Sequence, residues 1–510
     1  MAERYVRSSI LQGLLVIGLA GVLLLSSTAA TPDDQRTGER AGGGSRLELT
    51  ECRLQHPQRL LSIEARCANF EVPENPAEPA GKRIPLRVAV VPALNRRAAA
   101  DPLFVLSGGP GQAATDFYAA TAPAFARVQR DRDIVLVDQR GTGASNPLTC
   151  EYPEEEELAE LTSEQIRKHT QSCLGLVRRK GNVAVYTTSV AVRDLDAVRA
   201  ALGYQSINLY GVSYGTRVAQ HYLRRYPQHT RSLVLDGVVP PQQILAIDSS
   251  LQAERALAEI FGRCLADDSC HSAFPDPAAQ FHKLRDELSR KAAQVTVADP
   301  VAGTVTTEPF RLVHLQTAVR LLSYSPDRAA LLPLLIYEGA RNNLAPLAAQ
   351  AKMVSESIAQ TISYGMHHSV VCTEDAPFFM SSAVDRHRLE QTYLGTTQLD
   401  GLIAICEVWP RGLVDPDFHA PLVSDVPVLL LSGSADPVTP PPYGELARQK
   451  LRNGLHLVVE GQGHGQIVVG CMPRVVADFI SAGSTEDLDS ECIKQVTPTP
   501  FFTSFAGPPP

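Results

Sequence analysis

Three residue types in one chain order can break an acyl bond: a serine to attack the carbonyl, an acid, and a histidine to move the proton. This chain of 510 residues offers Ser213 within Gly211-Val212-Ser213-Tyr214-Gly215, Asp436 heading Asp436-Pro437-Val438-Thr439-Pro440, and His464 between Gly463 and Gly465. The division of labour follows from proton chemistry. Ser213 attacks, His464 takes its proton and later hands it to the leaving group, and Asp436 fixes the histidine tautomer and stabilises the imidazolium. An Asp-Pro by itself is ordinarily a turn, and one histidine among thirteen is ordinarily structural. The joint order Ser, Asp, His is what points to catalysis.

Each of these residues follows a short apolar run. Ile207–Tyr210 reads as a strand entering the Gly-x-Ser-x-Gly turn, followed by a helix from Thr216 to Tyr226 that Pro227 stops. The serine of such a turn has strained dihedrals, and Gly211 and Gly215 leave no side chain to clash across it. Pro427–Ser432 reads as a buried strand opening onto Asp436, and Gly454–Glu460 as a last strand opening onto His464. A residue just past a parallel strand stands at the carboxyl edge of the sheet, where open α/β sheets place their chemistry. Leu103–Leu106 is another buried strand, followed by Ser107-Gly108-Gly109-Pro110-Gly111-Gln112. The backbone N–H of Gly109 (or its neighbour Gly108), with that of Tyr214, would form the oxyanion hole.

Strand patterns at Leu86–Val91, Phe104–Leu106, Ile134–Val137 and Leu233–Leu235 alternate with helical stretches such as Val190 to Leu202. Beyond Asp236-Gly237 the periodicity becomes mainly helical, as in Leu251 to Leu265, Ala278 to Ala293 and Leu312 to Leu322, until strands resume at Val428. The expected fold is an α/β-hydrolase: a mostly parallel central sheet flanked by helices, with an inserted, mainly helical cap. The core would span residues 46–241 and 422–510, and the cap residues 242–421.

Arg4 and Arg7 precede an apolar run from Ile10 to Leu25 and then Ser26-Ser27-Thr28-Ala29-Ala30. That pattern reads as a signal peptide over residues 1–30, with a flexible tether over 31–45 and a secreted or periplasmic mature protein. An uncleaved N-terminal anchor is the alternative, and only then would a membrane be a partner. Ten cysteines follow the leader: Cys52, Cys67, Cys150, Cys173, Cys264, Cys270, Cys372, Cys406, Cys471 and Cys492. An even count in an exported chain suggests disulfides. Their connectivity is not deducible from sequence, and nearest-neighbour pairing along the chain is the expectation. None falls in Cys-x-x-Cys and no His-Glu-x-x-His occurs, so neither a metal nor a cofactor is expected. A net charge of -8 without a basic cluster argues against nucleic acid as a partner. The oligomeric state is not readable.

Gly108-Gly109-Pro110-Gly111, Asp138-Gln139-Arg140-Gly141-Thr142-Gly143-Ala144-Ser145, the serine turn and the Asp436 and His464 motifs together resemble the prolyl aminopeptidase and tripeptidyl aminopeptidase family of α/β-hydrolase serine peptidases. The likeness is closest to its larger secreted branch, whose C-terminal part is a tripeptidyl aminopeptidase-type domain. It implies hydrolysis of short peptides from a free N-terminus through an acyl-enzyme. Many prolyl aminopeptidases carry His before Gly-Gly-Pro-Gly where this chain has Ser107, so proline preference is not carried over. Residues 138–145 read as structural, tying two loops near the site. An aminopeptidase needs a carboxylate for the substrate's α-ammonium, and the sequence offers Glu374 and Asp375 beside Cys372, and Glu407 beside Cys406. An esterase with the same triad is the alternative function. A non-catalytic binding protein on the same fold is the second alternative.

Overall fold

The computed structural model describes residues 47–150, 161–298, 303–359, 361–379 and 384–508. The leader and tether expected over 1–30 and 31–45 lie outside these residues. Aliphatic runs build the centre. Strands β4 (Leu103–Leu106) and β5 (Ile134–Val137) are buried at every position, the mark of strands covered on both faces. They belong to a nine-stranded sheet that also contains β1 (Thr50–Gln55), β2 (Ser62–Pro73), β3 (Arg83–Val91), β6 (Ile207–Val212), β7 (Thr230–Asp236), β10 (Val428–Gly433) and β11 (Gly454–Val459). The order is β1-β2-β3-β5-β4-β6-β7-β10-β11. The first three strands run antiparallel to their neighbours, and from β5 to β11 all pairs are parallel.

Alternation along the strands sorts side chains to two faces. On one face Val88, Val90, Phe104 and Leu209 pack against helices α2 (Ser163–Val177), α3 (Thr188–Leu202) and α4 (Tyr214–Arg225). On the other, Ala89, Val91, Val105 and Leu136 pack against α1 (Ala114–Gln129) and the helix Met472–Ala482. Register then fixes the site. Val212 pairs with Asp236, and Asp236 with Leu431, so the carboxyl ends of β6, β7 and β10 reach one edge together.

The insertion has two parts. Helices Ser249–Ala266, Pro277–Arg290, Leu312–Leu322, Leu332–Gly339 and Ala345–Ala359 share a hydrophobic core with a hairpin of β8 (Ala293–Ala298) and β9 (Val305–Phe310). The later helices Tyr364–Glu374 and Thr397–Cys406 instead bury Met366, Val370, Leu399 and Leu402 in the cluster of α2–α4. The sequence ran a helix to Ala293. The structure ends it at Arg290, because Ala293–Ala298 alternates as a strand and finds β9 as its partner.

All ten cysteines are paired: Cys52–Cys67, Cys150–Cys173, Cys264–Cys270, Cys372–Cys406 and Cys471–Cys492. Among the described residues no helix is long and apolar enough to cross a membrane. The pairing predicts that protein denatured without reductant titrates no thiols and, once reduced, titrates all ten. Thiols titrated before reduction would contradict it.

Candidate active site

Ser213 stands between β6 and α4 with φ 56° and ψ −124°. A non-glycine residue at positive φ costs about 1–3 kcal/mol and persists only where its surroundings hold it. Here its N–H donates to the Asp236 carbonyl at 2.9 Å, and its carbonyl accepts the Thr216 hydroxyl at 2.6 Å. The flanking glycines are a steric requirement: a Cβ at Gly211 would meet the Gly215 carbonyl, and one at Gly215 the Leu106 carbonyl. Tyr214 opens α4, so its N–H has no acceptor within the helix and points out at the positive end of the helix dipole.

Asp436, in the loop after β10, is fully buried. It accepts from the backbone of Val438 (2.8 Å) and Thr439 (2.9 Å), from the Thr439 hydroxyl (2.7 Å) and from His464 Nδ1 (2.8 Å). Burial pushes this carboxyl up, but the charge of His464 and the donated hydrogen bonds outweigh it and hold the group below its ordinary value. For His464 burial works against the proton, and the Asp436 charge and hydrogen bond prevail, raising it above 6.5. With Nδ1–H committed to Asp436, Nε2 is the ring's remaining base.

The loops carrying the acid and the base are held from three sides. Arg255, on the insertion helix Ser249–Ala266, donates to the carbonyls of Ser434 and Asp436 at 2.8 Å each, and Arg263 to that of Gly461 at 2.8 Å. Tyr324 accepts the His464 N–H at 2.7 Å and sets its ring edge-on to the imidazole, 5.4 Å between centres. The third brace is Asp236, whose significance sequence reasoning missed. Its carboxylate is fully buried and accepts from Tyr210 Oη (2.7 Å), Gln466 N (2.7 Å) and Ile467 N (2.9 Å). One residue thus ties the Ser213 backbone to the segment that follows His464. The signal was present: an acid ending a core strand, as used for Asp436. The apolar pattern ends at Leu235, and the strand extends to Asp236.

Gly109 is exposed with φ 110°, in the loop after β4. The insertion steadies that loop through Ser363 N–H to Gly111 O (2.9 Å) and His367 Nδ1 to Pro110 O (3.1 Å). Tyr214 is anchored at its hydroxyl by Gln139 Nε2 (3.1 Å) and Thr188 Oγ1 (2.6 Å). In the 138–145 segment, Asp138 accepts from Thr115 and Ala144, while Arg140 forks onto Asp194 at 2.6 and 2.9 Å.

Glu374 and Asp375, expected at the substrate's N-terminus, are fully buried beside Arg217, four residues after Ser213 on α4. Asp375 takes Arg217 at 3.0 and 3.1 Å and the Leu245 N–H at 2.9 Å. Glu374 accepts from Thr188 N (2.7 Å) and Thr188 Oγ1 (3.0 Å), and burial pushes it up to about 7 against the attraction of Arg217. A buried cation needs a buried partner, and Asp375 supplies it with two hydrogen bonds, Glu374 lying 3.7 Å away. Glu407 pairs with Arg167 of α2 at 2.9 Å on an exposed face. Trp409 is buried, its Nε1 donating to Ser369.

A family model described as alpha/beta hydrolase fold matches residues 101–470. The chain is 26% identical over 503 residues to the serine protease Hip1 of Mycobacterium tuberculosis, covering 88% of this chain and 91% of the relative. It is 30% identical over 468 residues to carboxylesterase B of the same species, covering 84% and 86%. It is 26% identical over 469 residues to the tripeptidyl aminopeptidase of Streptomyces lividans, covering 85% of each.

Two predictions follow from the geometry around His464. Gly237 has φ 64°, and a Cβ there would lie 2.9 Å from His464 Cε1 and 3.0 Å from Thr439 Oγ1. Gly237→Ala therefore displaces the imidazole and lowers kcat by about 100-fold while thermal unfolding stays cooperative; an unchanged kcat contradicts the placement. Because a raised histidine must lose its proton to act as base, kcat/KM falls with decreasing pH along a limb centred above 6.5. In Asp436→Asn the residual rate drops about 10⁴-fold and the limb moves downward, which a pH–rate profile reads directly.

Proposed function

This chain belongs to the α/β-hydrolase family, and from that premise we propose that it is a serine aminopeptidase working through Ser213, His464 and Asp436. The observation that carries the reading is the 2.8 Å bond from His464 Nδ1 to a fully buried Asp436, at the same sheet edge as the turn that holds Ser213. His464 Nε2 takes the serine proton as Oγ attacks the substrate carbonyl. The oxyanion that forms is met by the N–H groups of Gly109 and Tyr214, worth about 3–4 kcal/mol each. The proton passes from Nε2 to the departing amine, leaving the acyl group on Ser213. Water activated by the same nitrogen then releases it.

Peptides with a free N-terminus are the favoured substrates. The motif resemblance supports this, as do the peptidase names carried by two of the relatives. Export to a secreted or periplasmic location is supported by the five disulfides, which persist in oxidising compartments. A carboxylic-ester hydrolase is the second reading, favoured by the 30% identity to a protein named carboxylesterase B.

A panel of fluorogenic prolyl, alanyl and tripeptidyl amides, each with a free and an acetylated N-terminus, alongside short acyl esters, separates the two. The proposal expects amide cleavage that acetylation suppresses at least about 100-fold in kcat/KM, and loss of turnover in Ser213→Ala. Ester cleavage alone, or indifference to acetylation, would overturn it.

A further inference from the structure

A cleft of about 460 Å³ opens beside His464, and no step above uses it. One wall is the catalytic loop itself, His464 and Gly465 continuing to the exposed Val468. Facing it are Tyr324 and Asp327 from the insertion, and Gln495, Val496, Thr497 and Thr499 of the C-terminal segment. Three separate parts of the chain therefore meet around the ring that must protonate the leaving group.

Resting on the aminopeptidase reading, we infer that this cleft receives the part of the peptide on the C-terminal side of the scissile bond, and that it takes a chain that continues rather than one that ends there. When the tetrahedral intermediate collapses, the C–N bond breaks and its electron pair stays on nitrogen. That nitrogen takes the proton from His464 Nε2, and the acyl carbon keeps its bond to Ser213 Oγ. The leaving nitrogen must therefore lie against His464, away from the oxyanion donors Gly109 and Tyr214. The chain attached to it leaves past the histidine. His464 turns its Nδ1 edge to Asp436, and the same residue lines the cleft.

Charge says which kind of chain. Among the lining residues there is no lysine or arginine to hold a terminal carboxylate. Asp327 is the one carboxylate, and the Thr499 hydroxyl donates to it. A cation is the strong side-chain partner for a free C-terminal carboxylate. This one offers hydroxyls, amides and valine surface along an open trough.

Internally quenched peptides that share one acyl segment and a free N-terminus, and differ beyond the cleaved bond, test the inference. The expected result is a rise in kcat/KM of about fivefold or more on going from one residue to three beyond that bond. C-terminal acids and amides should agree within about twofold. Thr499→Trp, which fills the trough from the C-terminal segment, should abolish the rise. Val468→Arg, at the exposed rim, should shift preference toward the acids. Equal kcat/KM for one and three residues, or a rise that survives Thr499→Trp in a protein with native circular dichroism, would overturn the inference while leaving the aminopeptidase reading intact. Failure of that reading looks different: no peptide of the series is cleaved at all, and the inference falls with it.

Discussion

A carboxylate sealed from water must be matched by donors or it will not stay charged, and the structure is arranged around matching Asp436. Four donated hydrogen bonds converge on it, three from Val438 and Thr439 and one from His464. The local turn supplies the first three, so the loop after β10 preorganises the anion before the histidine arrives. His464 completes the set and in return has its tautomer fixed. The pair is self-consistent in sign, with the acid held below its ordinary value and the imidazole above. Protonating Asp436 as pH falls through its lowered value, or deprotonating His464 as pH rises through its raised one, removes the stabilisation each draws from the other.

That pair is useful only if the serine holds still beside it, and Asp236 connects the two. Its carbonyl fixes the Ser213 N–H and its carboxylate fixes Gln466 and Ile467, so the strained turn and the histidine loop share one anchor at the carboxyl end of β7. The insertion contributes as well. Arg255 and Arg263 brace the loops of Asp436 and His464, and Ser363 and His367 brace the loop after β4. The insertion is thus a structural partner of the site, which suits catalysis by fixed dipoles that need no rearrangement as charge develops.

The strands and turns that carry Ser213, Asp436 and His464 were legible because their signals are local: an apolar run, then a residue that can do chemistry, in a chain order the fold requires. The β1–β2 and β8–β9 hairpins were not read, since half-exposed alternation such as that of β2 is faint beside the buried runs of β4 and β5. Long-range pairing was the larger gap. Nothing near Glu374 and Asp375 announces that Arg217, more than 150 residues earlier, is buried between them. Two adjacent acids near a cysteine bridge read from sequence as a ligand site or as ordinary solvated carboxylates, and their contact with a buried guanidinium is a long-range fact that no local pattern carries. Arg217 reads locally as an ordinary helix residue, although a guanidinium four positions after Ser213, on a helix packed into the core, demands a buried partner.

The most direct test of the central claim is covalent. The protein should react once with a fluorophosphonate, and peptide mass spectrometry should place the adduct on Ser213. His464→Ala should lower the labelling rate by at least about 1,000-fold, with an unchanged circular dichroism spectrum. An adduct on another residue, or labelling of Ser213 at an undiminished rate without His464, would contradict a serine activated by the histidine that Asp436 holds.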